Sequence, residues 1–192
     1  MPLPEPTSAR RRLHTRSIEL EGFLREDGCF DLEAVLVDRK DSDYRILSGV
    51  RRAGEAVHEM RLRFTVDRKF NVLAVEAASD AVPYAGHCDT IGPAYGSLVG
   101  LNLFNGFRKA ALERVGEVNG CTHLTELLWV MPTLALQTLA TLVPEDDMSG
   151  QKPFQLDRCH ALDSRGEAVR IYYPRWFVGG NGAAPEAPPE NP

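Results

Sequence analysis

The chain has no long hydrophobic run. No apolar stretch reaches the roughly 18 residues that suggest a bilayer-spanning helix, and Met1 to Arg12 lacks the apolar core of a secretory signal. Both absences predict a soluble, cytoplasmic protein. A strong charge of either sign is missing too: 22 Lys+Arg against 27 Asp+Glu leave a formal charge of -5 over 192 residues. That balance argues against nucleic acid or an anionic membrane as partner and favours a small molecule, with a homo-oligomer left open. Cys-x-x-Cys does not occur, so Cys29, Cys88, Cys121 and Cys159, in a chain without a secretion signal, read as reduced thiols. Gly92-Pro-Ala-Tyr-Gly96 lacks the Gly-x-Gly-x-x-Gly spacing that would cradle a dinucleotide, and there is no Gly-x-Ser-x-Gly elbow.

What is present is two kinds of periodicity in succession. Residues 12 to 38 read as two strands about Glu26-Asp27-Gly28, where Asp-Gly supplies the positive φ of a hairpin turn. A second pair is expected from Val57 to Val66 and from Asn71 to Ala78, joined through Asp67 to Phe70. From Pro93 the period turns helical: a short first helix, then a stripe of Phe104, Phe107, Ala111, Leu112 and Val115 ending at Gly116. A third helix starts near Thr122, which could cap it. Its apolar face runs from Leu124 to Leu142, kinked at Pro132 and stopped by Pro144. A closing hairpin is expected from Phe154 to Leu162 and Glu167 to Tyr173, turning at Asp163 to Gly166. The fold class is therefore α+β: an antiparallel meander sheet of about four strands, three helices packed on one face, and a C-terminal hairpin. One domain over 12–178 lies between disordered tails, 1–11 and 179–192.

Strand parity selects the candidate site. His58 shares its face with Met60, Leu62, Phe64 and Val66, so it points inward, and the same count puts His14 and Arg16 with Ile18 and Leu20. Cationic groups among leucines need partners, which suggests a pocket between sheet and helices. His123 stands in the first turn of the third helix, where the positive dipole end favours a neutral imidazole able to accept a proton; Glu126 follows on the same flank. Around the first turn, Arg25 could hold Asp31 or Glu33 ionised at a partly covered site, and Tyr95 could offer a phenol to the cleft. These residues point to His58, His123, Arg16, His14, Asp31 and Glu33 as catalytic groups, with Arg25, Tyr95 and Glu126 binding substrate. An alternative donor set, Cys88, Cys121, His123 and His58, would hold zinc or an iron-sulfur cluster.

Together His14-Thr-Arg16, Arg25-Glu-Asp-Gly28 with Asp31 and Glu33, His58-Glu-Met60-Arg-Leu-Arg63, Cys88 and Gly120-Cys-Thr-His-Leu-Thr-Glu-Leu127 resemble the bacterial family called domain of unknown function 2889, over about residues 12 to 143. The middle section also loosely resembles NifU-type iron-sulfur scaffolds, although a third cysteine in the expected context is missing. The family resemblance implies an architecture and no reaction. The residues themselves lead to a cofactor-independent acid/base enzyme, a lyase acting on a small aromatic or carboxylic substrate of bacterial catabolism. In that reading His123 and His58 exchange protons and Arg16 holds a carboxylate or oxyanion. The alternatives are a zinc or iron-sulfur protein and a non-catalytic accessory or ligand-binding protein.

Overall fold

A computed structural model describes residues 2–140, 142, 152–153 and 155–179. The chain divides into two compact units, Met1–Thr141 and Leu142–Pro192, where the sequence reading takes 12–178 as one domain. Residues 2–13 contain no helix or strand. Among the described residues no helix is long and apolar enough to cross a membrane.

The first unit is built on four antiparallel strands in the spatial order β1-β2-β5-β6, namely β1 (His14–Leu24), β2 (Phe30–Lys40), β5 (Ala56–Val66) and β6 (Val72–Ala81). The β1-β2 turn carries Gly28 at φ 82°, the conformation for which its Asp-Gly dipeptide was read. Between β2 and β5 the chain makes a small hairpin, β3 (Tyr44–Ile46) and β4 (Gly49–Arg51), which the sequence reading does not anticipate.

Side-chain alternation decides what the sheet covers. On β2, Phe30, Leu32, Ala34, Leu36 and Asp38 are buried and the residues between them are not. Directly across on β5, Val66, Phe64, Leu62 and Met60 are buried as well. This face packs against α1 (Phe107–Val115), α2 (Thr122–Leu128) and α3 (Met131–Ala140) through Phe107, Ala111 and Val115, through Leu124, Leu127 and Leu128, and through Met131, Ala135 and Leu139. Phe64 meets Phe107 edge-on at 6.2 Å between ring centroids. The predicted stripe on α1 is narrower than expected: Phe104 precedes the helix, and Leu112 is 53% exposed. The opposite sheet face carries paired charges, with Arg63 between Glu33 and Glu76 in register across three strands.

Near the expected kink at Pro132 the long helix is interrupted, α2 ending at Leu128 and α3 beginning at Met131. Trp129 and Val130 separate α2 from α3, bonding three residues back to Glu126 and Leu127, and Pro132, which has no N–H to donate, stands in the first turn of α3. The expected stop at Pro144 lies outside the described residues.

At the start of α2 the cap differs from expectation. Cys121, in extended conformation, is the N-cap, and Thr122 makes no side-chain capping bond. The phenol of Tyr95, from the seven-residue 3-10 stretch Gly92–Leu98, holds this start instead: it accepts the Cys121 N–H at 3.0 Å and faces Thr125 Oγ1 at 2.8 Å. The Thr125 hydroxyl in turn donates to the Val115 carbonyl. Gly120 is needed at this crossing, because a Cβ there would lie 2.1 Å from the Val115 carbonyl oxygen.

The second unit overturns the C-terminal hairpin. Its described part holds a single turn at His160–Leu162, the helix α4 (Glu167–Tyr172) and another turn at Pro174–Trp176. The predicted reversal at Asp163 to Gly166 exists, with Gly166 N–H donating to the Asp163 carbonyl at 2.7 Å, but it leads into a helix. Glu167 sits in the first turn and pairs with Arg170 three residues on, a helical spacing that the apparent alternation concealed. Phe154, the expected first strand residue, lies outside the described residues.

The close approach at Gly120 makes a testable demand. Gly120→Ala should destabilise the first unit by about 1–3 kcal/mol through overpacking, whereas Gly96→Ala, with open space at its Cβ, should be close to neutral. Equal denaturation midpoints for the two variants would contradict the packing described.

Candidate functional site

A row of charged residues crosses the sheet on its buried face. Arg16 of β1 lies directly opposite Asp38 of β2, and Asp38 directly opposite His58 of β5. Directly opposed residues share a face, so the three side chains project together beneath α2. His14, two residues before Arg16, joins them from the same strand, and α2 contributes His123 and Glu126 from above.

Asp38 is the centre of this group, and the parity count that led to His58 stopped short of it. Continued along β2, Phe30-x-Leu32-x-Ala34-x-Leu36-x-Asp38 places an acid at the end of an apolar face, which is the signal that could have found it. The residue is 3% exposed. Its Oδ1 accepts from Arg16 Nε at 2.8 Å and lies 3.0 Å from His14 Nε2. Its Oδ2 accepts from Arg16 Nη2 at 2.8 Å and stands 3.1 Å from His58 Nδ1 and 3.6 Å from His123 Nε2. The His58 and His123 rings stack at 3.7 Å between centroids, 27° apart in plane.

The electrostatics follow from this crowding. Burial pushes the Asp38 carboxyl up, but the two Arg16 hydrogen bonds and charge, helped by His14 and His58, outweigh it and hold the group below the usual carboxylate range. His58 lies below the ordinary histidine value, chiefly because burial disfavours its charge and secondly because His123 stands against it; Asp38 only partly opposes this. A neutral His58 donating Nδ1–H to Asp38 keeps its lone pair on Nε2. Arg16 is raised by its Asp38 bonds, against the cost of burial, and its remaining Nη1 is taken by Glu126.

Other expected members fall elsewhere. Asp31 and Glu33 face the outer side of the sheet, Asp31 bonded to Thr65 and paired with Arg25, and Glu33 paired with Arg63. Seven residues of strand, roughly 23 Å at 3.3 Å each, separate Asp31 from Asp38. Arg25 stays at the hairpin tip with Asp27. Tyr95 is fully buried and its hydroxyl is spent on Cys121 and Thr125, so it is a clamp for the start of α2 and not a substrate contact. Arg16, expected to bind a substrate carboxylate, uses all three of its guanidinium nitrogens on Asp38 and Glu126, through three of its five N–H groups.

The thiols are also distributed. All four cysteines are free, and Cys88 begins a single turn, Cys88–Thr90, packed partly against the core. Cys121 comes closest to the cluster, its Sγ 3.9 Å from His123 Nδ1. Burial raises this thiol, yet the His123 contact and the backbone N–H groups of Leu124 and His123 outweigh burial and lower it. Among the described residues, the group of three potential metal donors within 4.8 Å of one another is Asp38, His58 and His123, with neither Cys88 nor Cys121 in it.

A family model described as "Protein of unknown function (DUF2889)" matches residues 14–137, well over half of the chain. The chain belongs to the DUF2889 family. The match begins at His14 and takes in Asp38, His58, His123 and Glu126, so the cluster lies wholly in the family's portion, and the second unit lies outside it. No curated protein and no solved structure matches the chain, which leaves the NifU-type likeness without support.

Two outcomes are expected from this geometry. As pH falls below about 6.5, the unfolded chain takes up a proton that folded His58 resists; below about pH 4 the same holds for Asp38. Stability should therefore decline in both windows, and His58→Gln should flatten the upper one; a thermal midpoint unchanged between about pH 7.5 and 5 would count against it. Tyr95→Phe leaves the Cys121 N–H without its acceptor and should cost about 1–3 kcal/mol in denaturant unfolding.

Proposed function

We propose that this protein is an acid/base enzyme whose centre is the Asp38 cluster, a lyase that works without an added cofactor on a small aromatic or carboxylic substrate. The observation that carries the reading is the pairing of His58 with His123: two stacked imidazoles against one buried carboxylate. Two rings this close resist carrying two charges, so one can be neutral and accept a proton while the other delivers one. Asp38 takes His58 Nδ1–H and fixes the tautomer that leaves Nε2 as the base. His123, which lies 3.6 Å from Asp38 and 3.9 Å from the Cys121 sulfur, is less tightly held and is the ring suited to act as acid.

Arg16 serves this chemistry through Asp38. With each guanidinium nitrogen bonded to Asp38 or Glu126 it keeps the carboxylate ionised and oriented, and a developing oxyanion is assigned to the protonated imidazole. Carbon-carbon or carbon-oxygen cleavage suits such a site, since it needs one proton removed, one delivered and a negative charge stabilised in between. The aromatic or carboxylic substrate class rests on the proton chemistry alone, since Met60 and Leu36, which continue the same sheet face, are closed into the core.

The test is a panel of small aromatic alcohols, hydroxy acids and unsaturated carboxylic acids, followed by the gain or loss of conjugation in their absorbance. One class should be turned over without added cofactor. His58→Gln and His123→Ala should each lower kcat by about 10²–10⁴-fold while retaining the folded far-UV spectrum. Turnover untouched by both substitutions would refute the reading, and binding of a panel member without turnover would make the protein a ligand-binding one.

A further inference from the structure

We propose that Asp38, His58 and His123 also form a binding site for one divalent transition-metal ion of the zinc class. This inference goes beyond the acid/base reading and uses the same side chains: a bound ion takes His58 Nδ1 and His123 Nε2, displacing the proton that Nδ1 otherwise gives to Asp38, so ion and proton are alternative occupants. The spacing of the donors carries it. Two ligands about 2.1 Å from a shared ion stand roughly 3.0–3.5 Å apart at octahedral to tetrahedral angles. Asp38 Oδ2 lies 3.1 Å from His58 Nδ1 and 3.6 Å from His123 Nε2, and the three donor atoms all lie within 4.8 Å of one another.

Hydrogen bonding accounts for this geometry incompletely. The 3.6 Å separation between His123 Nε2 and Asp38 is too long for a hydrogen bond, though each nitrogen is turned to the same carboxylate oxygen. Such convergence suits two ligands of a common ion. Two imidazoles and a carboxylate are a borderline donor set that zinc accepts with a further position open. The surrounding partners fit as well. Arg16 Nη2 approaches the same Oδ2 and Arg16 Nε the other oxygen, and His14 Nε2 lies on Oδ1, an outer ring of donors that would hold the carboxylate in place. Asp38 and Glu126 together outweigh Arg16 by one negative charge when the imidazoles are neutral, a balance favourable to a cation.

The measurement is zinc uptake by the full chain, stripped with a chelator and then titrated with Zn²⁺ in competition with a chromophoric chelator, with elemental analysis of the product. One zinc per chain is expected. His58→Gln and His123→Gln should each weaken binding by more than about 100-fold, while Cys88→Ser and Cys121→Ser stay within about threefold of the parent. Cobalt substituted for zinc should show d–d absorption without a thiolate charge-transfer band. Far-UV spectra of the histidine variants establish that they remain folded. Failure to take up stoichiometric zinc, or loss of uptake in the cysteine variants with retention in the histidine ones, would overturn the proposal. Because uptake is read at equilibrium and without a substrate, its failure would leave the turnover test of the acid/base reading intact.

Discussion

A carboxylate buried at the end of an apolar strand face is the constraint on which the site depends. Asp38 cannot remain ionised there without partners, since isolated burial of a carboxylate is far more costly than any single packing contact. Arg16 meets that demand with two parallel N–H donors, and the register of β1 against β2 places it directly opposite. The pairing is therefore constrained twice, by the hydrophobic faces of the two strands and by one ion pair. A slip of one residue would turn Arg16 to the outer face and leave Asp38 buried among leucines without it.

From that pair the rest of the arrangement follows in sequence. Arg16 has one nitrogen beyond those on Asp38, and Glu126 takes it, which ties α2 to the edge strand β1. His123 lies three residues earlier on the same helix flank, so the contact that seats Glu126 also carries His123 over His58. The start of α2 is held independently, by the buried Tyr95 phenol and the close crossing at Gly120. Both ends of this seven-residue helix are thus fixed by polar contacts, while Leu124, Leu127 and Leu128 supply the apolar packing between them.

Much of this was legible in the residues, and the failures have physical causes. Strand parity placed His14, Arg16 and His58 on the inner face, because alternation is a property of a single strand and needs no knowledge of partners. Asp31 and Glu33 share their face with Val35 and Val37, which look like core residues in the sequence; those valines are only partly buried, and the outer face they share carries the charge pairs of Arg63. Asp38 escaped because its meaning lies in what stands across from it, and cross-strand register is not written in one strand. Tyr95 reads as available for a related reason: its phenol is free in the sequence pattern, and only the chain that returns over it, Gly120-Cys121, uses its oxygen from both sides. The C-terminal helix was mistaken for a strand because six residues of mixed polarity satisfy either period.

The same crowding that stabilises Asp38 gives the cluster its chemical ambivalence. With the imidazoles neutral, one negative charge is in excess among Asp38, Glu126 and Arg16, and whatever neutralises it must come to the histidines. A single proton would do so, and burial together with the nearby His123 keeps it off His58. A divalent ion would do so by drawing both nitrogens onto one centre. The two occupants demand different things of His123: the proton requires a ring free to approach a substrate, the ion requires a ring fixed on Asp38. Its position at 3.6 Å, beyond a hydrogen bond and just wider than the span of two ligands on one ion, leaves the imidazole between those two uses, and its neighbour Cys121 touches the nitrogen that neither use occupies.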